Sequence, residues 1–186
     1  MAILSHTLID FRPLKMGDLR LLHQWFAHQH VAAWYREESR LSYEGVVAKY
    51  APAILGDKPI HCFIITYGGK PIGQIQTYCI ADHTAIDVDE GMAGVDLFIG
   101  DPAYVHQGLG GPILQHFLRA IVFGIYDATS CLIDPEAKNT VAIRAYEKAG
   151  FHHLQTVQTE PGGPFMYLMR IDRANLRESS APQASM

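Results

Sequence analysis

The spacing of apolar positions changes period several times along the chain, and each change marks a predicted element. From Thr7 to Arg12 the residues alternate around Leu8, Ile9 and Phe11, the period of a half-buried strand, which ends at Pro13 where a ladder donor is lost. Leu14, Leu19, Leu22, Trp25 and Phe26 then recur at helical spacing behind Asp18. A second helix is predicted from Ser42 to Leu55, with Ser42 as its cap. The apolar runs His61 to Tyr67 and Lys70 to Ile80 flank Gly68-Gly69, the strongest short-range hairpin signal in the chain. Ala81 to Gly91 is polar and acidic without period and reads as a loop. Met92 to Ile99 is a strand, Ile113 to Phe123 an amphipathic helix and Thr129 to Ile133 a strand. Asn139 to Lys148 is a helix stopped by Gly150, and two strands, Phe151 to Thr159 and Phe165 to Ile171, flank a Pro-Gly-Gly-Pro turn. The order β-α-α-β-β-β-α-β-α-β-β predicts one α+β domain over residues 1–175: a mixed, mostly antiparallel sheet of about seven strands flanked by about four helices. Residues 176–186 are expected to be a disordered tail.

Composition narrows the function classes. The chain has 186 residues, 48% of them hydrophobic and 18% charged, which suits one globular core with no need of a staple or a structural metal. No apolar run approaches the roughly 20 residues that span a bilayer, and the first residues carry no secretion-signal pattern, so no membrane role and a cytoplasmic location are expected. The net charge is −4, with Lys and Arg scattered, which argues against nucleic acid and favours a cationic partner. The three cysteines are widely spaced in strand-like sequence and are expected to be buried free thiols. No metal-ligand spacing is present, and no pair stands out among the ten histidines.

The chemistry concentrates in Val105 to Pro112, VHQGLGGP, between a buried strand and an amphipathic helix. Gly108, Gly110 and Gly111 let the backbone approach a ligand, and the start of the helix offers N–H groups and a positive dipole end to an anion. Pro112 is tolerated in the first turn. Plain packing of the glycines is an equal alternative from this segment alone. No Lys-Ser/Thr follows, so it is not a P-loop, and the third glycine of a dinucleotide fingerprint is missing.

The run QGLGGPILQHFL followed by DPEAKNTVAIRAYEKAGF resembles the acetyl-CoA-binding signature of the GNAT acetyltransferases. Val105 stands where that pattern prefers Arg or Gln. The stretches HQHVAAWYREESR, YGGKPIGQIQTY, GMAGVDLFIG and GGPFMYL extend the resemblance to the aminoglycoside 6'-N-acetyltransferase branch, over about His28 to Leu168. A related branch that acylates amines of siderophore precursors shares much of this pattern, and a non-catalytic sensor of acyl-CoA is a third reading. The resemblance implies a GNAT fold, acetyl-CoA as co-substrate, no metal, a small cationic amine as acceptor, and a monomer or homodimer.

It also implies roles for particular residues. Main-chain groups around Leu97, Phe98 and Ile99 would hold the thioester carbonyl. Gln107, Gly108, Leu109, Gly110, Gly111, Pro112, Asn139, Ala142, Ala145 and Lys148 would line the CoA arm, with capping the alternative for Asn139. Asp96 is costly in its apolar setting without a partner and would bind the amine or act as general base, an internal ion pair being the alternative. Asp134 would be a second substrate acid or a turn residue before Pro135. Tyr146 would protonate the departing thiolate or serve as a core tyrosine. Trp34, Tyr35, Gln76, Tyr78, Asp87, Asp89 and Glu90 would gather around a polycationic acceptor, supplying aromatic walls and carboxylates. His83 and Thr84 occupy the place of paired tryptophans in that branch, and Glu160 is the candidate substitute for an aspartate at the Gly162-Gly163 turn.

Overall fold

The computed structural model describes residues 5–80, 91–158 and 160–176. Seven strands form one sheet: β1 (Ile9–Pro13), β2 (Ile60–Tyr67), β3 (Lys70–Cys79), β4 (Met92–Ile99), β5 (Ser130–Ile133), β6 (His152–Gln158) and β7 (Phe165–Asp172). They lie in the order β1-β2-β3-β4-β5-β7-β6, all neighbours antiparallel except the β4–β5 pair. Five helices flank them: α1 (Leu19–Phe26), α2 (Gln29–Ala32), α3 (Tyr43–Leu55), α4 (Gly110–Phe117) and α5 (Thr140–Ala149).

Helix boundaries follow from local chemistry. α1 begins at Leu19, later than its apolar period suggests, because Asp18 is turned back on the strand before it. Its carboxylate accepts two 2.7 Å bonds from Arg12 and one of 2.9 Å from the Lys15 N–H, closing a 3-10 turn at Met16–Asp18. The Arg12 guanidinium holds the Asp18 carboxyl below its usual range. Ser42 caps α3 as expected, accepting from the Gly45 N–H at 3.2 Å. Gly150 ends α5 in the left-handed region, φ 108°. The one-turn helix α2 carries only Val31 into the core and has no apolar repeat to announce it. α4 starts at Gly110, three residues ahead of its apolar face, and continues as a π turn over Leu118–Val122.

Strand alternation divides the core between the two faces of the sheet. Phe63, Ile65, Ile75 and Val95 pack with Ile113, Leu114 and Phe117 of α4 and with Tyr146 and Ala149 of α5. On the other face Ile64 and Phe98 pack with Leu22, Trp25 and Phe26 of α1 and with Val46 and Tyr50 of α3. Each fully buried apolar side chain contributes roughly 1.5–3 kcal/mol against exposure. All three cysteines are free, but only Cys131 is buried. Cys62 is half-buried, and Cys79, at the end of β3 beyond the helices' cover, is exposed, so the expectation of buried thiols is corrected for these two.

β4 ends where Gly100 must pass under the Trp25 indole. A Cβ at Gly100 would lie 2.2 Å from that ring, which α1 holds in place. Gly100→Ala is expected to destabilise the fold by about 1–3 kcal/mol, read as a lower urea midpoint with unchanged slope.

Candidate active site

β4 and β5 pair over only three positions, Met92 with Ser130, Ala93 with Cys131 and Gly94 with Leu132. Beyond them the two strands part, while β4 keeps its full pairing with β3 through Ile99. Which main-chain groups this exposes follows from strand parity. The Met92 carbonyl accepts from Ile80 N–H and the Gly100 N–H donates to the Ile72 carbonyl, so the even residues of β4 turn their main chain toward β3. The odd ones face the gap. The Leu97 carbonyl accordingly accepts the Tyr35 hydroxyl at 3.0 Å, and the Ile99 carbonyl accepts from His30 Nε2 at 3.0 Å. His28 Nδ1 reaches the Gly100 carbonyl, also at 3.0 Å. Because N–H and C=O of one strand residue point the same way, the N–H groups of Leu97 and Ile99 face the gap as well. Phe98 lies differently: its main chain is turned toward β3, and its side chain packs in the α1–α3 core.

The same alternation places the acids. Asp96 shares the face of Phe98, and Asp134, just past β5, lies opposite in parity to Cys131 and Ile133, which belong to the α4–α5 core. Both carboxylates therefore stand on the α1–α3 side of the gap. Asp96 accepts from Gln76 Nε2 at 2.9 Å, and Gln76 in turn accepts from Gln74 Nε2 at 3.2 Å and Cys62 Sγ at 3.6 Å. Tyr78 lays its ring against Gly94 at the vertex of the fork.

Burial raises the Asp96 carboxyl above its usual range, against the opposing hydrogen bonds from Gln76 and Tyr78. Asp134 is pushed up to about 6, first by burial and then by the charge of Asp96. Neither makes an ion pair among the described residues. Tyr146 comes from the opposite, α5 side, buried, and its phenol is raised by burial and then by Asp96 and Asp134. The gap thus has two carboxylates on one side and a phenol held protonated on the other.

The glycine segment divides into two kinds of position. Gly108 is exposed at φ +76°, with nothing within 4 Å of where a Cβ would sit, and follows His106 at φ 59°. Gly110 and Gly111 instead face α5: a Cβ on Gly110 would stand 3.2 Å from Ala145 Cβ, and one on Gly111 3.3 Å from the Ala145 carbonyl. These two glycines, with Ala145, set a close α4–α5 contact, so their part in ligand approach is limited to main chain. Leu109 is buried in the core, and Gln107 is exposed. Pro112 lies in the first turn of α4, and Leu109 provides no side-chain cap there. Asn139 caps α5, its Oδ1 accepting from the Ala142 N–H at 3.2 Å. The exposed Lys148 has its carbonyl bonded by Gln115 Nε2 at 3.3 Å.

On the acceptor side, Tyr35 packs on Phe26 and Phe98 and spends its hydroxyl on β4. Trp34 is exposed, with Lys138 Nζ 5.8 Å from its ring centroid. Asp87, Asp89 and Glu90, with His83 and Thr84, lie outside the described residues. Glu160 is exposed beside the 162–163 turn, where its carbonyl accepts from the Gly163 N–H. Sequence reading missed His28, His30, Arg36 and Glu136, whose partners lie 69 to 100 residues away. Among the described residues no three His, Cys, Asp or Glu side chains are grouped to hold a metal ion, and no helix is long and apolar enough to cross a membrane.

The raised Asp134 carboxyl has a measurable cost. Its ordinary value is 3.8 and its value in the fold about 6, so the fold loses stability as pH rises from about 4 through 6 and the loss is complete above. Asp134→Asn is expected to stabilise the ligand-free protein by on the order of 2 kcal/mol at pH 8 and by roughly a third of that or less at pH 4, measured by urea unfolding at both pH values.

Comparison with known proteins agrees with this geometry. The acetyltransferase (GNAT) domain profile matches residues 15–159. An aminoglycoside N(6')-acetyltransferase type 1 of Klebsiella pneumoniae is 29% identical over 181 residues, 95% of this chain and 89% of that protein. A kanamycin resistance protein of Rhizobium radiobacter is 33% identical over 94 residues, 50% of this chain and 85% of that protein. The crystal structure of aminoglycoside acetyltransferase AAC(6')-Ib with coenzyme A and kanamycin superposes with a TM-score of 0.77 at 29% identity, covering 90% of this chain and 96% of that one. The same enzyme with paromomycin and acetyl-CoA gives 0.80 at 28% identity, covering 94% and 98%. The forked seven-stranded sheet, the glycine turn before α4 and these matches together place the chain in the GNAT acetyltransferase family, as an acetyl-CoA-dependent N-acetyltransferase.

Proposed function

We propose that the protein acetylates the 6'-amino group of an aminoglycoside, the activity named for its relatives. The observation that carries this reading is the pair Asp96 and Asp134, two half-buried carboxylates without an ion-pair partner among the described residues, facing a gap edged by the outward N–H groups of β4. Two like charges partly withdrawn from water call for a cationic guest, and a polyamine sugar supplies one.

The residues present suit acetyl-CoA. The exposed left-handed turn at His106 to Gly108 and the start of α4, which Leu109 leaves without a side-chain cap, offer main-chain donors for the pyrophosphate. When bound, acetyl-CoA supplies the activated thioester. The Leu97 N–H is oriented to donate to an oxygen lodged in the gap and to hold the charge that grows there, a kind of donor whose loss costs 10²-fold or more. Asp96, with its raised carboxyl, holds the substrate ammonium and accepts its proton as the amine attacks; Gln76 fixes the carboxylate's orientation. Asp134 shares the cation, whose arrival relieves the repulsion between the two acids. Tyr146 stays protonated and donates toward the departing sulfur from the α5 side.

The test is release of free CoA thiol from acetyl-CoA with kanamycin-type aminoglycosides, set beside simple polyamines and hydroxylysine-like amines. Aminoglycoside turnover is expected, with Asp96→Asn lowering kcat/KM by about 10²-fold or more and leaving CoA binding intact. The pH profile of kcat/KM is expected to rise through about pH 6, as the Asp134 carboxyl ionises, and this limb is expected to shift in Asp134→Asn. Turnover of another amine with none of aminoglycosides would overturn the substrate assignment.

A further inference from the structure

Three consecutive residues after α2 touch both arms of the fork. Tyr35 donates to the Leu97 carbonyl on β4. Arg36 Nη2 donates to Glu136 Oε1 at 2.6 Å, two residues beyond Asp134 on the other arm. Trp34 lies beneath the Lys138 ammonium of the same turn, and Lys138 also approaches Glu136 Oε2 at 3.2 Å. Glu136 is only 9% exposed, whereas the Arg36 side chain is 43% exposed. Its own backbone is held: Glu136 bridges to Met166, the Tyr167 N–H donates to the Pro135 carbonyl at 2.8 Å, and the Ala137 N–H donates to the Phe165 carbonyl at 2.7 Å. The chain therefore carries a cross-brace from β4 through residues 35 and 36 to a turn anchored on β7, located where β4 and β5 have ceased to hydrogen-bond to each other.

We propose that the Arg36–Glu136 ion pair is a latch that sets the spread of the fork on its acceptor side, and that both are positioning residues for Asp134. The latch rests on the proposed function for its substrate alone; the ion pair and its effect on the fork do not depend on it. Asp96 belongs to β4, whose outward edge is tied to Tyr35; Asp134 belongs to the turn tied to Arg36. Because residues 35 and 36 are adjacent in the chain, the covalent backbone between them fixes the offset between the two ties. With the latch closed, the carboxylates keep one separation and select acceptors whose cationic groups match it. With it open, the arms keep the three β4–β5 pairs at the vertex and the turn keeps its ties to β7, but the side-chain brace across the mouth is lost and the Asp134 turn can shift relative to Asp96 with β7. Loss of Arg36 also leaves the buried Glu136 with Lys138 as its remaining ion-pair partner among the described residues.

The test begins with Arg36→Gln, at the exposed end of the pair, where folding is least at risk, then adds Glu136→Gln and the charge exchange Arg36→Glu with Glu136→Arg. The readouts are CoA affinity by calorimetry, KM and kcat for aminoglycosides, and acrylamide quenching of tryptophan fluorescence. The last reports on Trp34, since the other of the two tryptophans, Trp25, is buried. Each single variant is expected to raise the acceptor KM about tenfold or more while CoA affinity holds within about twofold, and to increase quenching. The exchange is expected to return both KM and quenching most of the way to wild type. Unchanged KM and quenching in the single variants would overturn the latch, as would an exchange variant no better than the product of the singles. If the wild-type protein turns over no aminoglycoside, the acceptor assignment falls, and the quenching series still decides the latch.

Discussion

A strand inside a sheet must satisfy its main-chain donors and acceptors on both sides, and β4 does so on only one side beyond Gly94. Everything at the site answers that deficit. The outward carbonyls are taken by side-chain donors from the segment around α2, His30 at Ile99 and Tyr35 at Leu97. Their acceptors being occupied, the gap presents N–H groups, and an edge that would otherwise be electrically mixed becomes a donor surface suited to a carbonyl oxygen acquiring charge. Parting two strands and then occupying one set of their groups is how this fold turns an ordinary sheet into a reaction site.

The two faces of the sheet contribute opposite chemistry because they are covered by different helices. Beneath α1 and α3 the alternation of β3 and β4 sets out Gln76, Tyr78 and Asp96, a polar strip within an otherwise apolar cluster. Beneath α4 and α5 the cover is apolar up to the Tyr146 phenol. Burial acts on both sides in the same sense, disfavouring charge, so the carboxylates become more basic than free aspartates and the phenol less acidic than a free tyrosine. The proposed proton acceptor and proton donor thus owe their shifted acidities to a single cause, burial in the fork.

How far this was legible beforehand differs by element. The Gly68-Gly69 hairpin and the strand Met92–Ile99 were plain, since period-2 alternation bounded by turn residues is a local signal. The start of α1 was not, because it depends on Asp18 folding back onto Arg12, and the one-turn helix α2 has too few residues for a period to show. The candidate acids could be picked out as charges in apolar surroundings. Which atoms of Leu97 and Phe98 face the gap required the register of β4 on β3, a fact about two strands rather than one. Gly110 and Gly111 are open in sequence to ligand approach or to packing, because a glycine's missing side chain looks the same whichever neighbour occupies its space; in the fold both stand against Ala145. Arg36 and Glu136 are 100 residues apart, and no local pattern connects them.

Gly94 sits at the vertex of the fork with the Tyr78 ring where its side chain would be, a Cβ there falling 2.4 Å from the ring. The floor of the acceptor side is therefore made by one aromatic ring resting on bare backbone. A single added methyl group at this position must displace that ring, and with it the hydrogen bond that Tyr78 makes to Asp96. Shape and charge are in this way coupled through one residue: a small step at position 94 that reshapes this side of the fork also reaches the hydrogen bond that tempers the Asp96 carboxyl.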